Sequence, residues 1–140
     1  IDAADPQGPF DWVSLLIGVN NQYRGLPMDE YRREFAALLA RAIEFAGGEP
    51  DRVVVVSIPD WGVTPFARAN GRNPQTIAAE IDAFNAANRE EAERQGTKWV
   101  DVTAVSRQHP HLLTADGLHP SAKQYHLWTE KILPLTIHDT

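Results

Sequence analysis

The sequence predicts an α/β domain, a three-layer α/β/α sandwich built around a parallel sheet. Two apolar runs, residues 12–18 and 53–58, are nearly continuous rather than alternating, which is the pattern of strands covered on both faces. Each run is followed by a stretch with helical spacing, and a shorter run at 98–102 precedes a third. Strand and helix therefore alternate along the chain, as a parallel sheet with crossover helices requires.

Residues 1–9 contain Pro6, Gly8 and Pro9 and read as a loop. The first apolar run stops at Gly18-Val19-Asn20-Asn21, where a glycine and two asparagines mark a sharp turn at the carboxyl end of the strand. Across 27–46, Tyr31, Phe35, Leu38, Leu39, Ala42 and Ile43 recur three and four apart. Asp29 and Glu30 lie in the first turn of this amphipathic helix, and Gly47-Gly48 ends it. The second strand closes at Pro59, and residues 59–66 and 70–73 read as loops. Asn73 is placed to cap the next helix with Pro74 at its first position, and Ile77, Ile81, Phe84 and Asn88 share a face until Gly96. After the third strand, residues 103–114 read as irregular. Tyr125, Trp128 and Ile132 stripe one face of a last helix that stops before Pro134. Without repeats or interior linkers, 140 residues are expected to form one domain, 1–140, around one core.

The net charge of −6, with no basic stripe or aromatic-basic cluster, argues against nucleic acid and anionic membranes as partners. The absence of cysteine removes disulfides, thiolate zinc sites and a cysteine nucleophile. It leaves the compartment open between cytoplasm and a secreted or periplasmic location. No run approaches the ~18 apolar residues of a membrane span, so a soluble chain is expected. The chain begins at Ile1 rather than Met, which suggests that the sequence starts after processing or cleavage.

In parallel α/β sheets ligands sit beyond the carboxyl ends of the strands, which directs attention to the turns there. In Asp116-Gly117-Leu118-His119-Pro120-Ser121, a carboxylate three residues before an imidazole can fold back and orient it, with Gly117 supplying the tight turn. The plainer reading is a capped turn followed by a packed histidine. Asn20 is either a turn residue tolerating a left-handed conformation or an amide donor aimed at a developing oxyanion. Trp61 and Phe66 are either loop packing or a substrate platform, and Asp60 is most simply a turn residue. His109 and His111 flank Pro110 without an obvious third metal ligand and read as surface residues. A metal-dependent hydrolase using both with Asp116 is the weakest alternative. Among the serines, Ser14 lies mid-strand, Ser57 precedes Ile58-Pro59, Ser106 lacks a Gly-x-Ser-x-Gly elbow and Ser121 starts a helix. None has the setting of a nucleophile.

Ile17-Gly18-Val19-Asn20-Asn21 resembles the Gly-x-Asn-Asp block of the SGNH hydrolases, the GDSL esterase/lipase family, and Asp116-Gly117-Leu118-His119-Pro120 resembles its Asp-x-x-His block. The order of the blocks and the strand-helix alternation make the chain similar to the C-terminal two thirds of such an enzyme. The resemblance implies a flavodoxin-like SGNH fold missing its first strands, with His119 as general base, Asp116 orienting it and Asn20 as oxyanion donor. Asn21, standing where the family usually has Asp, and Trp61 are candidate substrate-side residues. The resemblance further implies cleavage of a small-molecule, lipid or sugar ester without cofactor or metal. The family's nucleophilic serine would lie in an N-terminal fragment of the same protein, and the isolated 140-residue chain would be inactive. The competing expectation is a catalytically incomplete fragment or non-catalytic binding module that keeps the SGNH fold.

Overall fold

The computed structural model describes residues 1–137. Three strands, β1 (Val13–Leu15), β2 (Val53–Val56) and β3 (Lys98–Val100), form a parallel sheet in the order β1-β2-β3. Val13 pairs with Val53 and Val54 with Lys98. The four valines of β2 are all buried, and the period of two distributes them between two cores. Val53 and Val55 join Tyr31, Phe35, Leu39 and Ile81 on the side of α2 (Met28–Phe45) and α4 (Pro74–Gln95). Val54 and Val56 join Val100, Val105 and Trp128 on the side of α5 (Thr103–Gln108) and α6 (Ala122–Ile132). A strand sandwiched in this way cannot alternate in polarity, which is why its sequence is an unbroken apolar run.

The helix signals in α4 act as read. Asn73 Oδ1 accepts from the Gln75 amide at 2.8 Å and the Thr76 amide at 3.1 Å, Pro74 occupies the first turn, and Gly96 ends the helix at φ 79°. In α2 the expected stripe is buried at Tyr31, Phe35, Leu39 and Ala42.

Five expectations are corrected. The first strand is shorter than the apolar run and is not covered on both faces. Ser14 is exposed, and Leu16 and Ile17 are 37% and 40% exposed. The reason is position: among the described residues β1 pairs with β2 alone at the edge of the sheet, and Leu16 and Ile17 lie past its end. Residues 18–21 are not a simple turn, because the chain leaves Gly18 directly into a short helix, α1 (Val19–Tyr23). Helix α3 (Pro65–Ala69) begins inside the expected loop, where Thr64 Oγ1 accepts from the Ala67 amide at 3.3 Å and Pro65 takes the first helical position. Likewise α5 occupies the start of the stretch expected to be irregular, its first amides at Thr103 and Ala104 donating to Asp101 Oδ1 at 2.9 and 3.3 Å. Side-chain capping supplied a helix start that apolar spacing did not announce. In α6, Trp128 is buried but Tyr125 is 49% exposed, so the expected stripe divides between the core and an open cleft. Among the described residues no helix is long and apolar enough to cross a membrane.

Candidate active site

Gly18 positions the first half of the site. Its φ of 133° lies in the region that favours glycine, and a Cβ there would come within 2.8 Å of both Ile58 Cδ1 and Tyr31 Cε2. The backbone can therefore pass tightly over the core and start α1 at Val19. Asn20, exposed in the first turn of α1, lines a cleft of about 510 Å³ at the carboxyl edge of the sheet.

The second half is the loop before α6. The Thr114 amide donates to His119 O at 2.8 Å and the Gly117 amide to Thr114 O at 3.0 Å, a turn that Gly117 permits with φ 68°. The Phe66 amide of α3 donates to Gly117 O at 3.2 Å and docks the loop on the neighbouring element. Within it, Asp116 Oδ1 receives the Thr114 hydroxyl at 2.6 Å, the Leu118 amide at 2.9 Å and the His119 amide at 3.0 Å. Oδ2 lies 2.5 Å from His119 Nδ1. The Thr114 hydroxyl foremost, then the imidazole and the two amides, hold the Asp116 carboxyl well below the usual carboxylate range. An imidazole that donates Nδ1–H to this carboxylate keeps the lone pair of Nε2 for taking a proton.

His119 and Asn20 line the same cleft, together with Trp61, Phe66, Tyr125 and Trp128. The structure thus brings His119, Asp116, Asn20 and Trp61 to one region. Asn21 does not line the cleft; its Nδ2 lies 3.4 Å from Glu34 Oε2.

The serines divide by environment. Ser57 is fully buried, its Oγ accepting from the amides of Val102 at 2.8 Å and Thr103 at 3.1 Å. Ser106 is buried and donates to Thr103 O at 2.6 Å. Ser121 caps α6, and Ser14 sits in β1. Asp60 does more than make a turn: buried to 3% exposure, it receives the Gly62 amide at 2.8 Å and Arg107 Nε at 2.9 Å. The His109 and His111 ring centroids are 6.3 Å apart, and among the described residues no group of three or more His, Asp or Glu side chains is placed to hold a metal ion.

Sequence reasoning missed Thr114, although its spacing of two from Asp116 could have flagged a hydroxyl bond to the carboxylate. It also missed Gln22, Arg72 and Glu80, which meet behind Trp61 across long separations and carry no local signal.

A parallel sheet between helical layers gives the chain an α/β hydrolase-like fold. Over residues 1–127 the chain matches the GDSL-like Lipase/Acylhydrolase family, and it belongs to that family. Among solved structures it is similar to an α/β hydrolase enzyme from the metagenome of Lake Arreo, Spain, with 24% identity, 90% of this chain and 59% of that chain covered, and a TM-score of 0.66. It is similar to a variant of an acetyl xylan esterase from Geobacillus stearothermophilus, with 20% identity, 100% and 65% covered, and a TM-score of 0.67. It is also similar to the lipase/acylhydrolase from Enterococcus faecalis, with 20% identity, 96% and 63% covered, and a TM-score of 0.64. These likenesses show the fold, and the chain spans 59% to 65% of the length of these three structures. No curated protein sequence matches it significantly.

Proposed function

We propose that the chain carries the base and oxyanion half of a serine hydrolase that cleaves carboxylic esters. The observation that carries this reading is the His119 Nδ1–Asp116 Oδ2 contact of 2.5 Å beside the cleft that Asn20 also lines. In the proposed reaction a serine hydroxyl attacks the acyl carbonyl while His119 Nε2 takes its proton. The tetrahedral oxyanion receives the Asn20 amide, and His119 returns the proton to the leaving alcohol. Water then repeats the sequence on the acyl-enzyme.

The nucleophile in this reading comes from an N-terminal segment of the same protein, which would pair with the open edge of β1. Supporting this are the burial of Ser57 and Ser106 in structural bonds and the pairing of β1, among the described residues, on one side only. An open edge of this kind invites a further strand. The domain 1–140 alone would then be inactive, and small-molecule, lipid or sugar esters are the substrate class.

Intact mass spectrometry after treatment with a fluorophosphonate tests the reading. A label on a serine outside residues 1–140, lost or slowed in His119→Ala, is the expected result. In the complete enzyme Asn20→Ala should lower turnover ~100-fold or more, the typical weight of one oxyanion donor. Labelling of Ser57 or Ser106, or a complete enzyme whose ester hydrolysis survives His119→Ala, would overturn it.

A further inference from the structure

We infer that Arg72 is a positioning residue that fixes the aromatic wall of the cleft, and that this wall receives a flat apolar group, such as an aryl ring, next to the scissile ester. The inference rests on the hydrolase reading of the same cleft.

The wall is made by Tyr23 and Trp61, whose rings meet edge to face with centroids 5.4 Å apart, and is extended by Phe66 at 6.2 Å from Trp61. Tyr23 is 44% exposed and Trp61 6% exposed, so Tyr23 presents most of the accessible ring surface while Trp61 backs it. Apart from tyrosine hydroxyls and indole N–H groups, Asn20 and His119 are the polar side chains of the lining, so a substrate finds apolar surface as soon as it leaves the reacting centre.

Trp61 offers no hydrogen bond to that substrate, because its Nε1 donates to Gln22 Oε1 at 2.7 Å behind the wall. Gln22 is 2% exposed and passes the constraint on, its Nε2 donating to Glu80 Oε2 at 2.6 Å. Arg72 closes the circuit. Its Nη2 lies 3.8 Å from Glu80 Oε2, and its Nη1 donates to Tyr23 O at 3.1 Å. Its guanidinium lies 5.0 Å from the Trp61 centroid and 5.3 Å from that of Tyr23. Arg72 does not itself line the cleft. One cation therefore grips both rings of the wall from outside while a buried amide fixes the indole, and the wall is preorganised before a ligand arrives.

The test uses N-phenylbutyramide, an uncleavable relative of a short aryl ester, titrated into 15N-labelled protein and followed at the indole N–H signals. The Trp61 signal should shift on binding. Arg72→Met should raise the half-saturation concentration about five-fold, the weight of a partly exposed cation–π contact, and Arg72→Lys should restore most of the affinity. In the complete enzyme the same substitution should raise KM for an aryl butyrate with kcat nearly unchanged. Should Arg72→Met lose the Trp99 and Trp128 signals through misfolding, Glu80→Gln decides, with weaker binding expected. A Trp61 signal that ignores the probe, or an affinity unchanged in the folded variants, would overturn the inference. Because the amide needs no nucleophile, a protein that binds it at Trp61 yet takes no fluorophosphonate label loses the hydrolase reading and keeps the wall.

Discussion

Thr114 and Asp116 are joined by a hydroxyl-to-carboxylate bond of 2.6 Å, and that bond is the largest of the interactions keeping Asp116 ionised. The threonine thereby holds in place the carboxylate whose other oxygen meets His119 Nδ1.

This gives a pH dependence with a definite sign. The folded-state pKa of Asp116 is depressed, so its bonds stabilise the loop above the ordinary carboxylate range, and that stabilisation is lost as pH falls through the folded value. Thr114→Val should move the Asp116 titration upward, toward the ordinary range, when followed by the carboxyl 13C shift. Identical titrations in the two proteins would show that the hydroxyl has no such role.

Tyr31 predicts the opposite limb. Burial pushes its phenol up to about 12, against a lowering contribution from the Asn88 amide at 3.4 Å. The raised value means that stability is intact below the unfolded-state pKa of ~10 and declines as pH rises from there to about 12. Tyr31→Phe should lack that component, which amounts to about 3 kcal/mol, when urea unfolding is compared across this window. It should also cost some stability at neutral pH, because the hydroxyl donates to Ile17 O at 3.0 Å.

Gly18→Ala should destabilise the fold by roughly 2–4 kcal/mol, combining left-handed strain with crowding in a packed core. The added methyl group meets Ile58 and Tyr31 at 2.8 Å. Chemical denaturation measures this directly, and a neutral result would mean that the path from β1 into α1 is slack.

Ser57→Ala separates structure from chemistry. It leaves the Val102 amide without its buried acceptor, while the Thr103 amide keeps Asp101 Oδ1 at 2.9 Å, a loss of about 1–3 kcal/mol. On the proposed hydrolase reading, fluorophosphonate labelling should be unaffected under conditions where the variant is folded.

What the sequence determined by itself is local. Helix α4 could be read end to end because its cap, first-turn proline and terminal glycine act within a few residues of where they stand. The Asp116–His119 pair was legible for the same reason, since the two residues lie in one turn that Gly117 closes. The buried strand β2 was legible because two cores leave no place for a polar side chain.

Tertiary structure decided what depends on distant partners. An apolar run is equally apolar at the centre or at the edge of a sheet, so only the pairing shows that β1 has a single neighbour among the described residues. Only the parallel arrangement of the strands carries Asn20 and His119 to one cleft. The Gln22–Glu80 bond that backs Trp61 spans 58 residues, and a side-chain contact between two helices leaves no periodicity for a sequence to display. Backbone geometry and burial act within a few residues and therefore write themselves into the chain, whereas the bonds that assemble the cleft exist only once the sheet has brought its helices together.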